Sequence, residues 1–464
     1  MNQNHDFRFL NVGLPDDILC HKQQGNLAQA IRLIDLRLAE KATPPALAAC
    51  LRAQREMMTR LPKDYPFPRE QALERVRREI ADFSEEEFDA LVERRRIGWI
   101  YLDGQMRYFR RFFETLCVTE ADIARRAGRP LPGTDKRCQR IRVANERLKQ
   151  LGQIQNRIRI RASLRLRDDL FTPGMFLRAQ LPVPCACQEQ SDIRMESVSP
   201  ADGVVAAENA PQRTVCWQGR YETNPTFQVE YSYTRTAVYH DLTAEPCYPQ
   251  QPVFDTEESA PHIVFSPYIR ALCKSLTQGA ANPIDKARRF YDFITLNMRY
   301  SFMPEYFVLE DIAASCARNL TGDCGVLALL FITLCRCAGI PVQWQSGLDA
   351  QPDECGAHDW ARFYAAPYGW LPVDPSYGVS AAVQGDEERR QFYFGNMDAF
   401  RMAANSRFQA DFETPMQFWR ADPYDNQSGE METDTHALTG GDYESHREVV
   451  DFQEIETNGA LCSR

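Results

Sequence analysis

Four residues, Gly322-Asp323-Cys324-Gly325, open an apolar run that continues from Val326 to Leu334. A run apolar almost all round predicts a central, buried helix. Gly339-Ile340-Pro341 stops it, with a glycine at the helix end and a proline two residues on. Cys324 then falls in the first turn, where unpaired amide groups and the positive end of the helix dipole favour a thiolate. Small neighbours leave room for a substrate carbonyl. The backbone N–H of Cys324 can also donate to a developing oxyanion.

A nucleophilic thiol needs an imidazole and a group that orients it. The chain has seven histidines, and one follows this helix closely. His358 opens the run His358-Asp359-Trp360-Ala361-Arg362-Phe363-Tyr364, whose aromatics predict a strand. Pro367-Tyr368-Gly369 supplies a turn, and Trp370-Leu371-Pro372-Val373-Asp374 a second strand. In such a hairpin His358 and Asp374 lie near each other on neighbouring strands. Asp374 can accept from one ring nitrogen while the other faces Cys324. Each residue alone has a plainer reading, as a buried thiol, a hydrogen-bonded histidine and an aspartate in a turn. Their ordered combination points to nucleophilic catalysis.

The chain around these residues has 464 positions, 44% hydrophobic and 25% charged. That is globular composition, enough for two to four domains, and it excludes a disordered or low-complexity chain. The apolar stretch Cys324 to Cys335 has only 12 residues, where a bilayer needs about 20. Met1-Asn2-Gln3-Asn4-His5-Asp6 lacks the basic and apolar regions of a signal peptide, so the expected compartment is the cytoplasm. Fifteen cysteines, an odd number in a long chain, fit reduced thiols better than a disulfide scaffold. The close pairs Cys185/Cys187 and Cys335/Cys337 have one intervening residue, too few for the usual zinc spacing.

Charge is uneven. Arg107 to Arg167 holds 17 Lys/Arg against 5 Asp/Glu, and Ala421 to Arg464 holds 2 against 11. Two solvated faces of opposite sign are the favoured reading. The alternative is a basic surface that docks an anionic partner or the acidic segment of the same chain. No zinc finger or helix-turn-helix accompanies the basic stretch, so nucleic acid is not an expected partner.

Three regions follow. Residues 1–155 read as helical. Leu27, Ala30, Ile31, Ile34 and Leu38 recur at helical spacing, and Pro44-Pro45 punctuates the run. Ser84 and Glu87 predict a capping box, with Phe83 stapled onto Phe88. Trp99, Tyr101, Tyr108, Phe109, Phe112 and Phe113 are expected in the core or between domains. Residues 156–245 change period: Ile158, Ile160, Ala162, Leu164 and Leu166 alternate with polar residues, as do Phe227, Val229, Tyr231 and Tyr233. An antiparallel β module, sandwich-like, is expected there. Pro246, Pro249, Pro252 and Pro261 mark a linker. Residues 262–456 hold the chemistry.

These residues resemble the transglutaminase-like superfamily of papain-related thiol enzymes. The resemblance runs from about His262 to Glu432. It is strongest at Gly322-Asp323-Cys324 with Ala338-Gly339-Ile340-Pro341, at His358-Asp359-Trp360, and at Gly369-Trp370-Leu371-Pro372-Val373-Asp374-Pro375. Phe394-Gly395-Asn396-Met397-Asp398 and Asp422 to Gln427 are similar to bacterial members, which implies that the acidic segment is partly structural and ends in a strand near Val449 to Ile455. The implied fold is α+β: a papain-like core with a Cys-bearing helix on an antiparallel sheet, preceded by the helical region and the β module.

The family's nucleophile, base and orienting acid fall onto Cys324, His358 and Asp374, and Asn319 is a positional candidate for a second oxyanion donor. The implied chemistry is acyl transfer through a thioester. Hydrolysis of a peptide or protein amide is the leading expectation. An amine acceptor, as in a protein-glutamine transglutaminase, and a non-catalytic scaffold are the alternatives. No Asp/Asn-rich loop has calcium-site spacing, so no cofactor or metal is expected. A protein partner through residues 1–155 is allowed, a membrane is not expected, and residues 348–357 are the expected substrate loop.

Overall fold

The computed structural model describes residues 7–455 apart from Pro132 and Pro249. The N-terminal residues read for a leader, Pro249 of the expected linker and the last nine residues of the acidic segment lie outside the described residues. The chain is α+β and divides into two compact units. The first comprises residues up to Asp135 together with Glu258–Ile269 and Met298–Val326. The second comprises Lys136–Glu257, Arg270–Asn297 and the residues from Leu327 onward.

Helices dominate the first unit. Leu27–Ala39 starts where the Asn26 side chain accepts from Gln29 N at 3.3 Å. Pro45 opens the helix Pro45–Asp64, a position where its missing N–H has no partner to lose. The capping box forms: Glu87 N donates to Ser84 Oγ at 3.1 Å and Ser84 N to Glu87 Oε2 at 2.8 Å. Phe83 and Phe88 are buried together with Tyr108, Phe109, Phe112 and Phe113.

One stretch read as helical is instead a hairpin, Trp99–Leu102 paired antiparallel with Gln105–Tyr108. Asp103 and Gly104 turn it with φ of 50° and 75°, the backbone that two-residue loops between right-twisted strands require. Trp99 and Tyr101 consequently face outward, 38% and 53% exposed, and only the later aromatics enter the core.

The same unit clamps the stretch that leads to Cys324. Arg111 lies 3.6 Å over the Phe302 ring, and Phe302 N donates to Thr115 Oγ1 at 3.2 Å. Arg60 covers Phe307 at 3.9 Å, and Asp64 Oδ2 accepts from Glu305 N at 3.0 Å. The N-terminal helices thus hold a segment nearly 200 residues further along the chain, as the pair Arg110–Glu305 with its separation of 195 illustrates.

Among the described residues, three four-stranded sheets build the second unit. One has the order Tyr443–Ile455, Gln153–Leu166, Thr226–Val238, Gln190–Ser199. Another runs Glu430–Glu432, Met175–Pro182, Thr214–Tyr221, Val204–Val205. The alternating apolar residues Ile158, Ile160 and Leu164 meet Leu177, Val215 and Trp217 in one core. That core extends to Leu348, Ala350, Met402 and Ala404 on the third sheet, so the β module packs directly behind it. The third sheet has the order Gly369–Val373, Glu354–Ala365, Val342–Gln351, Arg401–Asn405, all antiparallel.

The acidic and basic segments meet as strands. Tyr443–Ile455 pairs with Gln153–Leu166, setting Glu448 against Arg161 at 2.9 Å. Arg147 reaches Glu454 at 2.6 Å. The alternative in which the chain docks its own acidic segment therefore describes these residues, in place of two separately solvated faces. The proline-rich stretch lies along the third sheet: Tyr248 N donates to Ala366 O at 2.8 Å, and Phe254 packs on Tyr364 and Trp370. Among the described residues, no helix is long and apolar enough to cross a membrane.

Candidate active site

The cysteine helix runs Cys324–Cys337. Asp323 caps it, its Oδ1 accepting from Val326 N at 3.2 Å and from the Tyr306 hydroxyl. Burial pushes the Asp323 carboxyl up to about 6 against these two donors. Gly322 precedes the cap because nothing larger fits: a Cβ there would lie 2.5 Å from Val326 Cγ1. Cys324 is the first helical residue and half-buried. Beyond the first turn the helix is buried, and Phe331 meets Phe363 of the third sheet at 6.0 Å. Gly339, with φ of 75°, ends it as expected, and Ile340 N donates back to Cys335 O at 2.9 Å.

His358 lies in Glu354–Ala365, and Asp374 directly follows the paired strand Gly369–Val373. Their side chains meet at 2.7 Å, Nε2 to Oδ2, with 5% and no exposure respectively. Asp374 is also the cap of the helix Pro375–Val383: Oδ1 accepts from Tyr377 N at 2.9 Å and from Ser376 Oγ at 3.0 Å. Burial alone would raise the Asp374 carboxyl. His358, Arg401 and the Tyr377 N–H outweigh it and hold the group at about 2. An ionised carboxylate only accepts, so Nε2 of His358 carries the proton. Burial lowers the His358 pKa, with Asp374 opposing. The imidazole is thus neutral near pH 7 with its lone pair on Nδ1, the form a general base requires.

Around this pair stands a set of charged residues, of which sequence reading reaches only Asp349, as part of the expected substrate loop. Arg401 Nη2 lies 3.2 Å from Asp374 Oδ2 and 2.9 Å from Asp398 Oδ2. Asp349 Oδ2 accepts from Tyr377 OH at 2.7 Å and from Arg137 Nε at 2.9 Å. The Tyr377 ring is 4.8 Å from the imidazole. Arg137 belongs to the helix Lys136–Leu151, whose Arg140 and Arg142 reach Gln351 and Asp386 at 2.9 and 2.8 Å. Part of the basic stretch therefore faces the site sheet.

The expected substrate loop 348–357 is the end of a tight hairpin, paired as far as Gln351 and Glu354, with Asp349 buried inside its strand. The structure brings His358 and Asp374 together in the second unit. Cys324 and Asn319 belong to the first. Asn319 ends the helix Ile312–Asn319, exposed, with its Nδ2 donating to Ser315 Oγ at 3.2 Å.

A thiol at a capped helix start and a buried His–Asp pair on an antiparallel sheet define the class of protein to look for among known families. Residues 270–375 match the transglutaminase-like superfamily, and that span contains Cys324, His358 and Asp374. The chain carries a transglutaminase-like domain there. No curated protein matches the sequence. Among solved structures, a protein from Cytophaga hutchinsonii, proposed to be a cysteine protease, is similar at 15% identity and a TM-score of 0.43. The match covers 66% of this chain and 93% of that one. The periplasmic domain of TgpA from Pseudomonas aeruginosa is similar at 16% identity and a TM-score of 0.27, over 53% of this chain and 95% of that one.

Proposed function

We propose that the protein is a thiol enzyme that hydrolyses an amide bond in a peptide or protein substrate through Cys324, His358 and Asp374. Nδ1 of His358 takes the Cys324 proton, and the thiolate attacks the substrate carbonyl. The Cys324 N–H donates to the oxyanion. His358 then returns the proton to the departing amine, leaving a thioester on Cys324. Water, deprotonated by the same imidazole, cleaves the thioester and frees the thiol. The observation that carries this reading is the buried 2.7 Å contact between His358 Nε2 and Asp374 Oδ2. That contact fixes the tautomer that leaves Nδ1 as a base.

The test is the pH dependence of iodoacetamide labelling at Cys324, read by peptide mapping in wild type and His358→Ala. The other thiols on the map are internal references. Labelling that persists well below the reference thiols and fades in the variant supports the assignment. A Cys324 that titrates like its neighbours removes it.

A further inference from the structure

Arg401 opens the strand Arg401–Asn405 and has no solvent exposure. A buried guanidinium is costly unless anions surround it. Two do. Nη2 lies 2.9 Å from Asp398 Oδ2 and 3.2 Å from Asp374 Oδ2, and Nε lies 3.3 Å from Asp398 Oδ1. Tyr393 OH donates to Asp398 Oδ2 at 2.8 Å and fixes that carboxylate in turn. Arg401 and His358 therefore share one oxygen, Asp374 Oδ2. They also share two aromatic neighbours. The guanidinium lies 4.4 Å from the Tyr377 ring and 5.6 Å from Trp360, and the imidazole lies 4.8 Å from Tyr377 and 6.3 Å from Trp360.

We propose that Arg401 is a positioning residue for His358: clamped between Asp398 and Asp374, it fixes the carboxylate that orients the imidazole and opposes a second proton on the ring. Its catalytic meaning rests on the function proposed above, but its effect on the ring does not. The charged and titratable groups around the imidazole come from each packed element. Asp374 and Tyr377 come from the capped helix and its cap. Arg401 comes from the edge strand, and Asp349 from the neighbouring strand with Arg137 upon it. Asp398 reaches the group through Arg401. With a neutral imidazole the cluster has three carboxylates against two guanidiniums. Loss of Arg401 removes a cation that repels an imidazolium. The proton then binds more readily, and the lone pair on Nδ1 is lost at a higher pH.

Arg401→Met alone would strand the buried Asp398 carboxylate, so the informative variant is the double Arg401→Met/Asp398→Asn. Its His358 titration is followed by NMR of the ring Cε1–H, assigned by comparison with His358→Gln, with circular dichroism to show that the variant is folded. Loss of the Asp398 carboxylate, which faces the ring from behind Arg401, offsets part of the gain, so the midpoint is expected to rise by about half a unit, roughly a threefold change in proton affinity. In Arg401→Lys, which keeps the charge, it is expected to move by less than about a third of that. An unchanged midpoint in the folded double variant overturns the proposal. Should that variant not fold, Arg401→Gln, which can still donate to both carboxylates, carries the same expectation and the same refutation. The two readings separate cleanly. A Cys324 labelling profile that ignores His358 defeats the catalytic assignment, whereas the titration still decides what Arg401 does.

Discussion

Asp374 divides its two carboxylate oxygens between two tasks: Oδ2 meets His358 Nε2 at 2.7 Å, and Oδ1 caps a helix. The orientation of the imidazole is thereby tied to the start of a secondary-structure element. A helix start is among the few places where the backbone itself supplies donors that lock a carboxylate in one rotamer.

The division predicts two separate losses. Asp374→Asn retains a good cap, but it takes one of the two carboxylates from the buried Arg401 guanidinium and should cost about 2–3 kcal/mol in urea unfolding. Its amide, turned to donate toward Nε2, would move the ring proton to Nδ1 and abolish the base. Amide hydrolysis and low-pH labelling of Cys324 should fall roughly 1,000- to 10,000-fold. A variant that labels like wild type while folded would show that the tautomer does not matter.

Gly322→Ala probes the other end of the proposed reaction. The added Cβ must displace Val326, whose Cγ1 would lie 2.5 Å away, at the turn that presents Cys324. A loss of about 1–3 kcal/mol in urea unfolding is expected, together with slower labelling of Cys324 than of the other thiols. Equal rates across the map would place the strain elsewhere.

Much of the local structure could be read directly from residue types. Ser84 and Glu87 announce their capping box, the Ile158–Leu166 alternation announces its strand, and Gly339 announces the end of the cysteine helix. These features depend on neighbours within a few positions. The Asp103-Gly104 dipeptide also favours a two-residue hairpin, but the core pattern of the surrounding aromatics masks it. Arg401, Asp349 and Arg137 are a different matter. Each is a charged residue that is buried or half-buried by a partner on another element: Arg137 and Asp349 are separated by 212 positions, and Arg401 meets Asp374 at the start of a helix. Only tertiary pairing distinguishes them from ordinary surface charges.

Asp422 should make stability fall with pH in a specific window. Burial and the neighbouring Asp425 push its carboxyl up to about 8. An unfolded aspartate releases its proton near pH 3.9. Between these values the unfolded state binds fewer protons, so stability declines as pH rises and levels off above about 8. Asp422→Asn removes the decline. The gain of the variant over wild type in urea midpoint should grow from pH 4 to pH 8. A constant difference would mean that Asp422 ionises normally in the folded protein.

Arg178 and Glu432 form a buried pair, with 7% and no exposure, and Glu432 Oε2 also accepts from Gln417 N and Phe418 N at 2.9 and 3.0 Å. Arg178→Met leaves that carboxylate buried without its cation. A loss of about 3–5 kcal/mol is expected from equilibrium unfolding. A loss below about 1 kcal/mol would show that the backbone donors suffice.

The pairing of Tyr443–Ile455 with Gln153–Leu166 has a consequence for how the protein is made. Arg161 and Glu448 are separated by 287 residues. At about 5–20 residues per second, a ribosome needs roughly 15–60 s to travel between them. Until the later strand emerges, Gln153–Leu166 is the open edge of its sheet, with a row of unpaired backbone groups and an apolar inner face. Arg157, Arg159, Arg161 and Arg165 alternate along that edge. Their like charges discourage a neighbouring nascent chain from adding a strand. When the acidic strand arrives, Arg161 pairs with its Glu448. A residue that closes the mature sheet thus belongs to the row of charges that discourages mispairing during synthesis.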